Sequence, residues 1–492
     1  MAPTMKKLLV LLLLMFCIFP VSAQDWSQSG DTIYGAYPGD CAGQVVSLNQ
    51  NGTILAMSSP GSDAKGTSSG VVDVFQRSDG KLLRMGNTIL GTSGYNYFGS
   101  AMELSNDGHT LLAGSATAHD PSGRWYGSIQ AFGWDGSNWI QKGKALWGDS
   151  DGSYFGFSLG MSGDGNTVAS VSPYDSNKIK VYQWDGSAWQ QKGSTIPGEK
   201  TDGITDGAID LSSDGNTVIL GLPNSPSGKA KVFTWNGSTW TQKGSNLVGE
   251  AAGDRFGHNV KINANGNTIL IGAPLNDANG PNTGRINVYD WDGTAWVQRG
   301  PSFFGTAQTT VDCCLANFAI SLAESGNTVA YWSIANSTYD TSFVRVFDWD
   351  GTQWKQKGRT LIGGLGSNNE VNFIDLSADC STIAIGFPYD FSFRDGFDAG
   401  RSIVYKWDLS ASTNSLGQKD VHVYPNPFKD VFYVHSNQPV DWIGIYDVDG
   451  KVVFERFLFT DEKIELGNLA KGLYFIRMMT PEGLTTRKIM KR

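Results

Sequence analysis

A Trp-Asp/Asn-Gly-x-x-Trp segment recurs five times in this chain of 492 residues, at Trp134 to Trp139, Trp184 to Trp189, Trp235 to Trp240, Trp291 to Trp296 and Trp349 to Trp354. Successive copies stand 50, 51, 56 and 58 residues apart. A period of this size marks an array of small units that bury their apolar faces only against one another. A second landmark, a residue in a polar turn between two β-rich runs, falls at Gly52, Gly108, Gly165, Gly215, Gly266 and Gly326, with Cys380 in the seventh equivalent place. The array therefore counts seven units.

Each unit reads as four short strands, in the fifth over residues 256–262, 268–272, 285–291 and 296–300. Asn265-Gly266 and Asp292-Gly293 are dipeptides that accept positive φ in tight hairpins. Four-stranded antiparallel units repeated radially are the blades of a β-propeller. The seventh unit reaches Trp407 but lacks the Trp-x-Gln-Lys-Gly strand that should follow. Its counterpart lies at the other end: Trp26-Ser27-Gln28-Ser29-Gly30, then Asp31-Thr32-Ile33, parallels Trp189-Gln190-Gln191-Lys192-Gly193, then Ser194-Thr195-Ile196. The expected fold is all-β: a seven-bladed β-propeller over residues 24–409 closed by an N-terminal strand, which leaves no free sheet edge.

In the fifth unit Phe256-Gly257 and Gly272-Ala273-Pro274 stand sixteen residues apart, and Phe98-Gly99 and Phe155-Gly156 repeat the first element. Over roughly residues 26–407 the chain resembles the FG-GAP family of the integrin α-subunit propeller. A WD40 array is set aside, since its repeat is only about 40–45 residues.

The N-terminus carries Lys6 and Lys7, an apolar run over residues 8–19 and Val21-Ser22-Ala23, the order of a signal peptide spanning residues 1–23. A bilayer-spanning helix needs about 20 apolar residues, so no transmembrane segment is expected. The net charge of −9 argues against nucleic acid as a partner. Cys41, Cys313, Cys314 and Cys380 remain after the signal peptide, in an oxidising compartment. A Cys313–Cys314 bridge and two buried thiols are both open readings, and the spacing lacks the paired CxxC of a zinc site.

Twelve of the sixteen Trp sit at repeat positions, where packing between neighbouring blades accounts for them. The turns Asp164-Gly165-Asn166 and Asp214-Gly215-Asn216 supply one carboxylate each, enough for an Asx turn but short of the six to eight oxygens of calcium. Asp149-Ser150-Asp151-Gly152 has two carboxylates and no repeat. No metal and no cofactor is expected, with calcium as the alternative. No two of the five His share a spacing for metal binding or catalysis, His119-Asp120 reads as a solvated loop pair, and no catalytic residue is named; the chain reads as a non-enzyme. The rival is a hydrolase or lyase of extracellular polysaccharide with carboxylates drawn from different blades; an acidic cluster in the central channel favours it.

A binding site must break the repeat, and two loop sets vary most. One joins the second and third strands of each blade and holds Trp125, Tyr126, Tyr174, Tyr339, Tyr389, Phe391 and Arg394; the other joins one blade to the next and holds Tyr37, Tyr95, Tyr97 and Tyr154. In an up-and-down blade both sets lie on one face. Such amphipathic rings suit recognition of an extracellular protein or stacking on a glycan. The competing readings are that the rings pack down their own loops, and that the protein is a surface or matrix component without a discrete ligand.

Past a polar linker, residues 410–420, the pattern changes. Strands are expected over residues 431–435, 442–446, 451–457 and 473–478, with a turn at Asp449-Gly450, so residues 421–492 read as a small Ig-like β-sandwich. Tyr424, Pro425, Asn426, Pro427 and Phe428, then Ile445-Tyr446-Asp447 with Gly450 and Lys451, then Gly472 and Tyr474, then Arg487-Lys488-Ile489, resemble the type A sorting domain of the type IX secretion system. The resemblance implies a bacterium of the Bacteroidetes type, a partner in the type IX machinery, and a protein secreted or held at the outer cell surface. It also implies removal of the domain, with release or attachment to lipopolysaccharide.

Overall fold

The computed structural model describes residues 25–492 apart from 79, 201–206, 306–318, 335–340, 366–372, 390–398, 409–420, 437–439, 449–451, 460–461 and 481–482. The expected signal peptide and linker, and Cys313, Cys314, Tyr339, Phe391, Arg394, Gly450 and Lys451, lie outside the described residues.

Strands run where β-branched and aromatic residues cluster between Gly, Asn and Asp turns. In the fifth repeat they are Asn259–Ile262, Thr268–Ala273, Arg285–Trp291 and Trp296–Gln298, joined antiparallel in that order. The two middle strands match the expectation closely, and the two outer ones are shorter. Among the described residues seven such sheets follow one another. Every turn landmark holds a left-handed backbone, from Gly52 (φ 64°) to Cys380 (φ 56°). Cys380 is thus in the glycine place of the last sheet and forms no disulfide.

The last sheet takes its outer strand from the N-terminus. Asp25–Gln28 pairs with Arg401–Asp408, and Trp26 stands opposite Trp407 as Trp189 stands opposite Trp184 and Trp240 opposite Trp235. The innermost strands, beginning with Val46–Leu48 and ending with Phe373–Leu376, each touch their two neighbours, and the last touches the first. This cyclic packing of sheets is a β-propeller. Backbone bonds of the inner turns circle the channel mouth: Gln50 N–H to Asn106 C=O (2.9 Å), Asn106 to Gly163 (2.8 Å), Gly163 to Ser213 (2.9 Å), Ala264 to Glu324 (3.0 Å) and Ala378 back to Gln50 (2.9 Å).

The Trp-x-Gln-Lys-Gly strand is explained at the joints between sheets. Each outer-strand Trp donates its indole N–H to the preceding sheet, Trp189 to Lys142 O (2.8 Å), Trp240 to Lys192 O (2.8 Å), Trp296 to Lys243 O (3.0 Å) and Trp26 to Lys357 O (2.8 Å). The lysine then reaches forward over both tryptophans of that next sheet, Lys192 Nζ lying 5.7 Å from the rings of Trp235 and Trp240. The glycine that follows has no room for a side chain: a Cβ on Gly193 would stand 2.4 Å from Trp235. Packing, an indole hydrogen bond and a cation–π contact thus meet in five residues.

The FG-GAP elements are one contact. Gly257 N–H donates to Gly272 C=O (3.0 Å), and Gly99 N–H to Gly114 C=O (2.9 Å). Phe98, Phe155 and Phe256 are buried beside these glycines.

The tail forms two antiparallel sheets. One holds Val421–Tyr424, Val431–Ser436 and Glu462–Glu465; the other runs Val452–Phe459, Val440–Tyr446, Gly472–Thr480, Gly483–Lys491. Phe432, Ile443, Ile445, Ile476, Met478 and Ile489 fill the core that they share.

Candidate binding face

The inter-sheet loops carry backbone strain at a fixed place. Tyr97 (φ 47°) and Tyr154 (φ 55°) precede Phe98-Gly99 and Phe155-Gly156 in the left-handed region, and Arg255 (φ 56°) and Cys41 (φ 54°) hold the same place before Phe256-Gly257 and Ala42-Gly43. A side chain in this conformation costs about 1–2 kcal/mol. The next residue is buried; of the strained residues Tyr97 is exposed, and Tyr154, Arg255 and Cys41 are half-buried. Tyr95 (φ 60°) is strained in the same loop and 60% exposed.

Around these tyrosines the two variable loop sets touch. Thr117 Oγ1 donates to Tyr95 O (2.7 Å), the Trp125 N–H to Asp151 Oδ1 (2.8 Å), and Ser153 Oγ to Tyr126 O (2.7 Å). The Tyr154 and Tyr174 rings lie 4.6 Å apart at 31°. Trp125 is 49% exposed, with the His119 ring against its edge at 5.3 Å. Tyr37, 71% exposed, is held by its N–H to Asp40 Oδ2 (2.9 Å), and Gly61 N–H donates to Asp40 O (3.1 Å) to join that loop to the next. Burial pushes the Asp40 carboxyl up.

Of the sequence candidates, Tyr95, Tyr97, Trp125, Tyr126, Tyr154 and Tyr174 therefore form one arc, Tyr37 extends it, and Tyr389 stands half-buried after strand Thr382–Phe387. Sequence reasoning passed over Arg255 and Arg124, whose Nη1 donates to the Tyr126 hydroxyl (3.0 Å), and weighed Asp151 only as a calcium ligand. The signal for Arg255 was its place before Phe-Gly. Asp120 turns to Ser122 and to the Arg124 N–H (3.0 Å), so the His119-Asp120 pair works as two separate loop contacts.

The channel holds the second set of polar groups. Five residues before each turn landmark stand Ser47, Glu103, Gly160, Asp210, Lys261, Ser321 and Asp375, all in the innermost strands. Three are carboxylates, and each accepts a backbone N–H from the next sheet: Glu103 from Met161, Asp210 from Ile262 (2.8 Å) and Asp375 from Leu48 (2.7 Å). Ser47 does the same for Leu104 (3.0 Å) and Ser321 for Leu376 (3.1 Å). Burial pushes the Asp375 carboxyl up to about 6, burial and the Asp210 charge raise Glu103 well above its usual range, and the Asp210 charge raises Lys261. At one mouth Glu324 crosses the ring to accept from Asn106 Nδ2 (2.7 Å) and Ser213 Oγ (2.8 Å), beside an open cavity of about 470 Å³ lined by Gln50, Ala264, Ser325 and Asp379.

At the Asp-Gly-Asn turns, Gly165 O and Asn166 Oδ1 each accept from Lys142 Nζ (2.9 Å both), and Gly215 and Asn216 do so from Lys192. The cation these turns hold is the lysine of the preceding sheet. Among the described residues no three His, Cys, Asp or Glu group as a metal site.

In the tail, Asn426 Nδ2 donates to Lys488 O (2.7 Å) and its Oδ1 accepts the Met490 N–H (2.9 Å). The amide thereby pins the last strand. The Tyr474 hydroxyl donates to Ala470 O (2.8 Å), while Tyr424 stays exposed against Tyr433.

Residues 422–492 match the secretion system C-terminal sorting domain family, and residues 249–289 match the FG-GAP repeat family. No curated protein matches the chain. Among solved structures, a chain of a mitotic checkpoint complex is 12% identical with a TM-score of 0.50, the match covering 83% of this chain and 97% of that one. A chain of hydrazine synthase from Kuenenia stuttgartiensis is 13% identical with a TM-score of 0.49, over 76% of this chain and 97% of that one. These neighbours are β-propeller proteins. The chain carries an FG-GAP repeat and ends in a sorting domain that directs export by the type IX system to the cell surface or the extracellular space.

Proposed function

We propose that this chain is an exported recognition protein: a seven-bladed ring with an Ig-like tail that binds an extracellular protein or glycan through the aromatic arc. The observation that carries the reading is the strained backbone at Tyr97 and Tyr154 with the exposed Trp125 and Tyr174 beside them. Strain held on a rigid scaffold is where function concentrates, and exposed Tyr and Trp supply contact area at low entropic cost. Lipopolysaccharide attachment after loss of the tail would present this arc at the cell surface.

The channel carboxylates keep a polysaccharide hydrolase or lyase as the second reading, since Glu103 and Asp375 have raised proton affinities like those of general acids. Their bonds to the next sheet favour a structural role instead. Screening the purified full chain on glycan arrays and extracellular protein extracts, alongside polysaccharide turnover assays, separates the two. Binding without turnover, lost in Trp125→Ala/Tyr154→Ala and kept in Glu103→Gln, is expected. Turnover abolished by Glu103→Gln would establish the rival.

A further inference from the structure

The start of the outer strand of the last sheet is covered where most of its counterparts are open. Asp25 and Trp26 are 3% and 1% exposed. Of the equivalents of Asp25, Asn138, Thr239, Ala295 and Gln353 are exposed and Ala188 is half-buried; Trp189, Trp240, Trp296 and Trp354 keep part of their surface in solvent, whereas Trp139 is buried like Trp26. The chain entering this joint shows the same contrast. Arg359 and Thr360 are buried, whereas Lys144, Ser194, Ser245 and Pro301, in the place of Arg359, are exposed. The repeat alone leaves the places of Asp25 and Arg359 open, so something specific to this joint lies over these two residues.

The tail reaches it. Arg477, on Gly472–Thr480, donates Nη1 to Asp25 Oδ2 at 2.9 Å, and its guanidinium packs on the Tyr446 ring at 5.0 Å. Asp25 Oδ1 accepts the N–H groups of Trp26 (2.9 Å) and Arg359 (2.8 Å). One carboxylate thus ties the closing strand, the end of the sixth sheet and the tail together. Its chemistry is particular to this joint, because the same place elsewhere holds Asn138, Ala188, Thr239, Ala295 or Gln353. A charge-assisted bond shielded from water is stronger than an exposed ion pair.

We propose that the C-terminal domain docks on the ring-closing joint, with Arg477 as its anchor. The dock exists only when the N-terminal strand is in place, so the position of the sorting domain reports whether the ring is closed. This rests on the closed-ring reading above. When the tail is removed, Asp25 and Arg359 become surface.

Hydrogen–deuterium exchange on the full chain tests the dock with Arg477→Glu, which repels Asp25 yet leaves its two backbone donors. Amides of residues 25–28 and 357–361 should exchange about tenfold faster in R477E, as loss of a charge-assisted bond implies, with the outer strands of the third to fifth sheets unchanged. Arg477→Met, which keeps the tail core intact, should act in the same direction to a smaller extent. Slow exchange at the joint in wild type and both variants would overturn the dock while sparing closure. Fast exchange there in all three proteins would overturn closure and the dock together.

Discussion

Trp189 is held by a hydrogen bond to Lys142 O, by the Lys142 ammonium at 5.4 Å and by the ring of Trp184 at 5.3 Å. Truncating it to Ala should cost about 3 kcal/mol, measured by denaturant unfolding, with no loss of ligand binding. Gly193→Ala should also destabilise, because its φ of 75° and the 2.4 Å approach to Trp235 both refuse a Cβ. These roles were legible from the spacing of Trp, Lys and Gly. The channel residues were less so, although each lies five residues before a turn, because a repeat position whose identity changes from Ser to Glu to Lys gives no compositional signal. Their consequence is a pH dependence. Burial raises the Asp375 carboxyl to about 6 from its ordinary value of 3.8, so the folded state takes up the proton first and stability rises as pH falls from 7 towards 5. Glu103 and Asp210 shift in the same direction. Calorimetry should show a melting temperature a few degrees higher at pH 5 than at pH 7, with the difference reduced in Asp375→Asn, which still offers Leu48 an acceptor.

Among the elements, the closing strand was the most legible, since Trp26 copies the register of five other outer strands. The tail was only partly so. Strands Val431–Ser436, Val440–Tyr446, Val452–Phe459 and Gly472–Thr480 stand where apolar alternation placed them, but Val421–Tyr424, Glu462–Glu465 and Gly483–Lys491 were not foreseen. Gly483–Lys491 is an edge strand of Thr, Arg and Lys with Ile489 as its buried anchor, and charge on an edge hides β character from pattern reading. Asn426 holds that strand through both ends of its amide. Asn426→Ala should therefore loosen the tail by about 1–3 kcal/mol, seen as faster proteolysis of residues 483–492 with the propeller unaffected.

For the whole molecule, address and scaffold could be read from the sequence, while the ligand could not. The repeat dictates which positions must stay constant, and the arc occupies those left free, so its residues mark a surface without spelling what it meets. Removing residues 421–492 should leave the propeller in the periplasm, checked by cell fractionation. Everything above depends on a ring completed by its own N-terminus: the Trp26 contacts, the inner turn circle and the face that the loops share. The most direct measurement is calorimetry of the full chain against a variant lacking residues 25–34. Loss of the propeller's cooperative transition, with that of the tail retained, is the predicted result; a variant that still melts cooperatively at the wild-type temperature would contradict closure.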